Sequence, residues 1–143
     1  MRRVVGLLVL VLVLPAGCEK QRPPLPGTVP AKGTVYLPGG QPLRAGRVVL
    51  KPKLNQKNGR VVVEAFGDVE DGKFTLTTYQ PGDGAVPGEF VATISPFNYR
   101  SKTGSPVRLP NASQIPQRYQ EEGTSDWEVE ITPEGNDLTL RMK

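Results

Sequence analysis

The chain has no histidine, one cysteine, one tryptophan, and four each of tyrosine and phenylalanine in 143 residues. Lacking histidine, it has neither the usual general base nor the usual nitrogen ligand for a metal, and it has no side chain that titrates near neutrality by default. A single cysteine excludes an internal disulfide and a thiolate metal cluster. Charge of one sign is scarce too. The formal excess is +4, and losing Arg2 and Arg3 with a leader would take eighteen basic residues to sixteen against fourteen acidic ones. The basic residues are scattered, with no run of five or six. That argues against a nucleic-acid groove, which needs a clustered basic face with interleaved aromatics. The longest apolar run, Val4 to Leu14, has eleven residues. As a helix it would cover about 16 Å, half of the ~30 Å hydrocarbon core, so it does not read as a membrane span.

What the chain has in quantity is glycine, sixteen, and proline, fifteen. That balance favours short strands between many turns over long helices.

The N-terminus has the layout of a secretory signal peptide. Met1 to Arg3 are basic, Val4 to Leu14 apolar, and Pro15, Ala16 and Gly17 small or turn-forming. Cys18 follows directly. This stretch resembles the bacterial lipobox, with Ala16 and Gly17 at the two positions before cleavage and Cys18 as the lipidated first residue of the mature chain. The resemblance implies a diacylglyceryl thioether and an N-acyl chain. Together these supply more than the two membrane signals that stable anchoring needs, at about 0.8 kcal/mol per buried CH₂. Glu19 in the next position, by analogy with the sorting rule of enteric bacteria, leans toward the outer membrane. The alternative is an ordinary secreted protein with an incidental cysteine. Residues 1–17 are thus expected to be the signal peptide and 18–30 a lipidated, proline-rich tether. Pro23, Pro24, Pro26 and Pro30 prevent helix and favour extended polyproline II.

From Ala31 to Lys143 the pattern has period two. KGTVYL, RVVLKP, RVVVEAF, KFTLTT, EFVATIS, WEVEI and DLTLRMK read as about seven strands, and the near-continuous apolar run of RVVVEAF predicts burial. Asn58-Gly59 and Asp71-Gly72 are turn pairs, and Pro87-Gly88 fits the centre of a type II turn. The expected fold is all-β, a single Greek-key β-sandwich of transthyretin-like or immunoglobulin-like type.

Residues 96–124 break the pattern, with no clear strand and only a helical turn expected after Pro116. Long connections of this kind are often functional. Phe97, Tyr99, Arg100 and Tyr119, with Lys102, Arg108 and Arg118 nearby, could stack on sugars or hold anions. Alternatively, Phe97, Ile115 and Tyr119 cap an open end of the sandwich. Asp68, Glu70 and Asp71 read better as the polar side of a turn than as a calcium loop. Ser101, Ser105, Ser113 and Ser125 have no histidine to activate them. Glu121 and Glu122 are adjacent, unlike a glycosidase pair. No catalytic residue, metal ligand or cofactor is assigned.

In order, KGTVYLPGGQPLRAGRVVLKP, GDVEDGKFTLTT, GAVPGEFVATI, IPQRYQEEGTSDWEVEI and NDLTLRM resemble the small lipoproteins of planctomycete-type bacteria that carry a carboxypeptidase regulatory-like domain. That resemblance implies a transthyretin-like β-sandwich and an envelope location, and it brings no catalytic residues. The expectation is a non-enzymatic, lipid-anchored envelope protein. Its partners would be the membrane, through the lipid on Cys18, and an envelope protein or glycan.

Overall fold

The computed structural model describes residues 24–54, 56, 59, 61–98, 107–109 and 111–143. The expected lipidation site Cys18 lies outside them, as do Tyr99 and Arg100 of the 96–124 connection.

The body is all-β. Seven strands form one mixed sheet: β1 (Ala31–Tyr36), β2 (Ala45–Pro52), β3 (Ala65–Glu70), β4 (Lys73–Thr75), β5 (Gly88–Ser95), β8 (Glu128–Ile131) and β9 (Asn136–Arg141). A two-residue pair, β6 (Phe97–Asn98) with β7 (Val107–Arg108), stands apart. The spatial order is β8-β5-β2-β3-β4-β1-β9. Strands β2, β3 and β4 follow one another through hairpins, and β5 returns beside β2, all antiparallel. This is the expected Greek key. The β1–β9 pair is parallel.

Alternation builds the core. Ala31 and Val35, Val48 and Leu50, Phe74 and Leu76, Phe90, Ala92 and Ile94, and Trp127, Val129 and Ile131 all point inward and are buried. Glu128 and Glu130 stay exposed on the other face of β8. Phe74 needs room in which to lie. A Cβ on Gly33 would sit 2.7 Å from its ring and 2.5 Å from the Leu138 carbonyl oxygen, and one on Gly67 would be 3.2 Å from the ring. Two strand glycines therefore make the seat for one aromatic ring.

The sheet nearly closes on itself. Its two end strands, β8 and β9, are consecutive in sequence, so residues 132–135 hold them side by side. The Asn136 carboxamide clasps that loop: its oxygen accepts from the Thr132 N–H at 2.9 Å, and its nitrogen donates to the Thr132 carbonyl at 3.0 Å. At the far end the Trp127 indole N–H donates to the Arg141 carbonyl at 3.0 Å. Tyr119 stacks on Trp127 with centroids 4.4 Å apart, and its hydroxyl accepts the Lys143 N–H at 3.0 Å. Side chains thus close the seam, and no backbone ladder joins β8 to β9 among the described residues.

Three expectations differ from what is observed. The strand expected over RVVVEAF begins only at Ala65, and Val61 is 71 % exposed. The β2–β3 register would place Val63 opposite Pro52, which has no N–H to give that side of the ladder. The run is apolar, but its partner ends first. Second, Pro87-Gly88 is not a type II turn. Gly88 lies outside the left-handed region, opens β5 and pairs with Ile131. Glycine is there for space, since a Cβ would sit 2.7 Å from Val62 and 2.8 Å from the Gln56 side-chain oxygen. Third, the fold starts before Ala31, because Val29 and Ala85 exchange both backbone hydrogen bonds, at 2.9 and 3.0 Å. The turn pair Asp71-Gly72 is as expected, with φ of 47° and 81°. Gly59 also has positive φ, and Asn58 lies outside the described residues.

Trp127→Ala is expected to cost about 3–5 kcal/mol, as for other buried large-to-small changes. Trp127→Phe keeps most of the packing but leaves the Arg141 carbonyl without its donor, and should cost about 1–3 kcal/mol. Urea denaturation of both variants checks the order. A Phe variant as stable as the parent would mean that the indole hydrogen bond contributes nothing to closing the seam.

Candidate functional site

The 96–124 connection divides into two parts. Phe97 is half-buried in β6 and pairs in register with Arg108. Beyond it, two short 3₁₀ turns at Ala112–Gln114 and Gln117–Tyr119 fold back on the sheet, the second in agreement with the turn expected after Pro116. They carry Ile115 and Tyr119 into the core, at 3 % and 0 % exposure. Tyr119 therefore offers no open ring face to a ligand. Trp127 stacks on the ring and the Arg118 guanidinium lies 5.2 Å from its centroid. Of the two readings open from sequence, capping is what Ile115 and Tyr119 do. The described residues do not bring Phe97 and Tyr119 into one binding surface.

Asp68, Glu70 and Asp71 do not converge either. The Arg47 Nε donates to Asp68 at 2.7 Å while its guanidinium lies 4.5 Å over the Phe66 ring. No group of three or more acidic, cysteine or histidine side chains among the described residues is placed to hold a metal ion. Glu121 and Glu122 are both exposed.

A hollow lies on the outer face of the sheet, over β3, β4 and β1, with a volume of about 730 Å³. A second, of about 380 Å³, continues it toward Gly135 and shares Lys32, Thr75, Gly82 and Asp137 with it. The floor follows from alternation. With Ala31, Val35 and Phe74 turned inward, Lys32 and Thr34, Phe66, Asp68 and Glu70, and Lys73 and Thr75 must face out. Register then sets them side by side, with Lys32 opposite Thr75, Thr34 opposite Lys73, and Glu70 opposite Lys73. Lys32 also reaches Asp137 on β9 at 4.0 Å, both well exposed.

One wall is the turn over residues 78–83, which contributes Pro81 and Gly82. Its shape is imposed by Asp83, whose carboxylate accepts the N–H groups of Thr78, Tyr79 and Gln80 at 2.7, 3.0 and 3.1 Å. The Gly82 N–H donates to the Thr77 hydroxyl at 3.0 Å. Burial acts to raise the Asp83 pKa, but the hydrogen bonds to its ionised form outweigh that and hold the carboxyl below its ordinary value. Next to it Gly84 has φ +91°, and a Cβ there would lie 1.8 Å from the Val29 carbonyl oxygen. The wall is thereby tied to the start of the fold.

The chain matches no known family model, no curated protein and no solved structure.

Sequence reasoning missed this face. Its residues are the ordinary outward positions of several separate strands, and no local motif marks them. The nearest signal is the turn-rich stretch YQPGDGAV, Tyr79 to Val86, which supplies one wall but does not point to the strands of the floor.

Asp83→Ala should cost about 0.5–2 kcal/mol, comparable to losing a helix cap. Because the folded pKa is depressed, this stabilisation is complete above the unfolded value of about 3.9 and is lost as pH falls through the folded one. Amide exchange at Thr78, Tyr79 and Gln80 should accelerate below about pH 4 relative to the core strands, and Asp83→Asn should remove that acid dependence. An unchanged profile in the Asn variant would show that the carboxylate does not hold the turn.

Proposed function

We propose that this is a non-enzymatic protein of the bacterial cell envelope, anchored by lipid on Cys18 and presenting its β-domain to another envelope component. One observation carries the reading: the only cysteine stands directly after Ala16-Gly17 at the end of a short apolar run headed by Arg2 and Arg3. A thiol in that position is set up for acylation. The folded body supports the reading by where it begins. With Val29 paired to Ala85, ten residues from Glu19 to Thr28 separate the lipidated cysteine from the domain. Rich in proline, they would span up to about 31 Å at ~3.1 Å per residue, enough to hold the domain clear of lipid headgroups.

A second reading, a module that binds carbohydrate or another small ligand, is favoured by the hollow on the outer face. The buried Tyr119 ring removes one of the residues that would have placed such a ligand in the 96–124 connection.

Cys18→Ser should move the protein from the membrane fraction to the soluble fraction of the envelope and abolish metabolic labelling with palmitate. Retention of both membrane association and label in the Ser variant would overturn the anchor.

A further inference from the structure

We propose that the outer-face groove over β3, β4, β1 and β9 is a binding site for an uncharged oligosaccharide, a specific form of the ligand-binding reading on which it rests. Its size comes first. At about 730 Å³, continued by about 380 Å³, it falls in the range of sites that hold ligands of several rings.

Charge comes second. The groove holds Lys32 and Lys73 and, behind Asp68, Arg47. Against them stand Asp68, Glu70 and Asp137. Among the described residues the charges balance and are interleaved: Arg47 with Asp68 at 2.7 Å, Lys32 with Asp137 at 4.0 Å, and Glu70 opposite Lys73 in register. These residues present no net field to an anionic or cationic ligand, whereas a neutral one would find hydrogen-bonding groups of both kinds.

The third argument is that chemistry. A sugar hydroxyl is donor and acceptor at once. The groove is lined by ammonium donors at Lys32 and Lys73, a carboxylate acceptor at Asp137, and hydroxyls that do either at Thr34 and Thr75. The half-buried Phe66 ring lines the groove with Arg47 over one face, and the apolar surface it leaves uncovered would meet the C–H face of a pyranose. Rigidity is the fourth. The floor is hydrogen-bonded sheet, and the wall at Pro81 and Gly82 is held by the three N–H bonds to Asp83 and the bond from Gly82 to Thr77. A site that is already ordered loses little entropy when a ligand arrives.

The test uses the mature full-length protein in detergent, with maltohexaose, cellohexaose, chitohexaose and mannohexaose as neutral probes and heparin as the charged control, read by calorimetry. At least one neutral probe should give saturable binding that heparin does not match. Thr75 is exposed and central to both hollows, so Thr75→Arg should leave the thermal transition unchanged while weakening that binding roughly tenfold or more. Phe66→Ala should weaken it as well. Binding that survives Thr75→Arg would overturn this location while leaving a ligand-binding module elsewhere on the chain. Absence of saturable binding to every neutral probe, or a preference for heparin, would overturn the site and its chemistry together. None of these outcomes depends on whether Cys18 carries lipid.

Discussion

The Trp127 indole is the hinge of the architecture. Its ring fills the core between β8 and the turns after Pro116, and its N–H reaches across to the last residue of β9. A seven-stranded sheet with two free ends would otherwise leave β8 and β9 as open edges, each with a row of unpaired backbone groups. The indole hydrogen bond, the Tyr119 stack and the Asn136 clasp bring those edges together without a ladder. A cleft of about 290 Å³ remains along the seam, lined by β8 and β9 residues. On the outside face, Asp137 on one side and the 78–83 turn on the other border the hollow over β1, β3 and β4.

That face and the core are two sides of the same strands. Gly33, Gly67 and Phe74 satisfy the inside, and Lys32, Thr34, Phe66, Asp68, Lys73 and Thr75 present the outside. The glycines make room for the Phe74 ring on the inside of β1 and β3, and the ladder sets the outward side chains of β1, β3 and β4 on one surface. The Asp83 turn is tied into this frame through Gly84 and Val29. The first residues of the fold, the wall of the groove and the centre of the sheet are therefore mechanically continuous.

Much of the fold was legible because alternation is a local signal. EFVATIS and WEVEI showed which residues would be buried, and Asp71-Gly72 announced its hairpin through the need for positive φ. Errors arose where a neighbour decided the outcome. Val61 to Val63 are apolar enough for a strand, yet they lie outside β3 because Pro52, nine or more residues earlier, withholds the N–H that would face Val63. Gly88 looked like a turn glycine, and its reason is the Val62 and Gln56 side chains packed against it. Tyr119 was open to two readings, a ligand platform or a cap on the fold, and its neighbours place the ring in the core.

The outer groove was illegible for a related reason. Lys32, Phe66, Thr75, Gly82 and Asp137 are far apart in the chain, and each is unremarked in its own stretch. Sequence alone determined the all-strand character, the inward residues, the tight turns and the lone cysteine behind an apolar run, because these depend on residue type and on spacings of a few positions. Tertiary structure alone decided which strands lie side by side, that the sheet closes, and which outward residues share a surface. Those outcomes depend on partners brought together from opposite ends of the chain, and period-two patterning is identical whichever partner a strand finally takes.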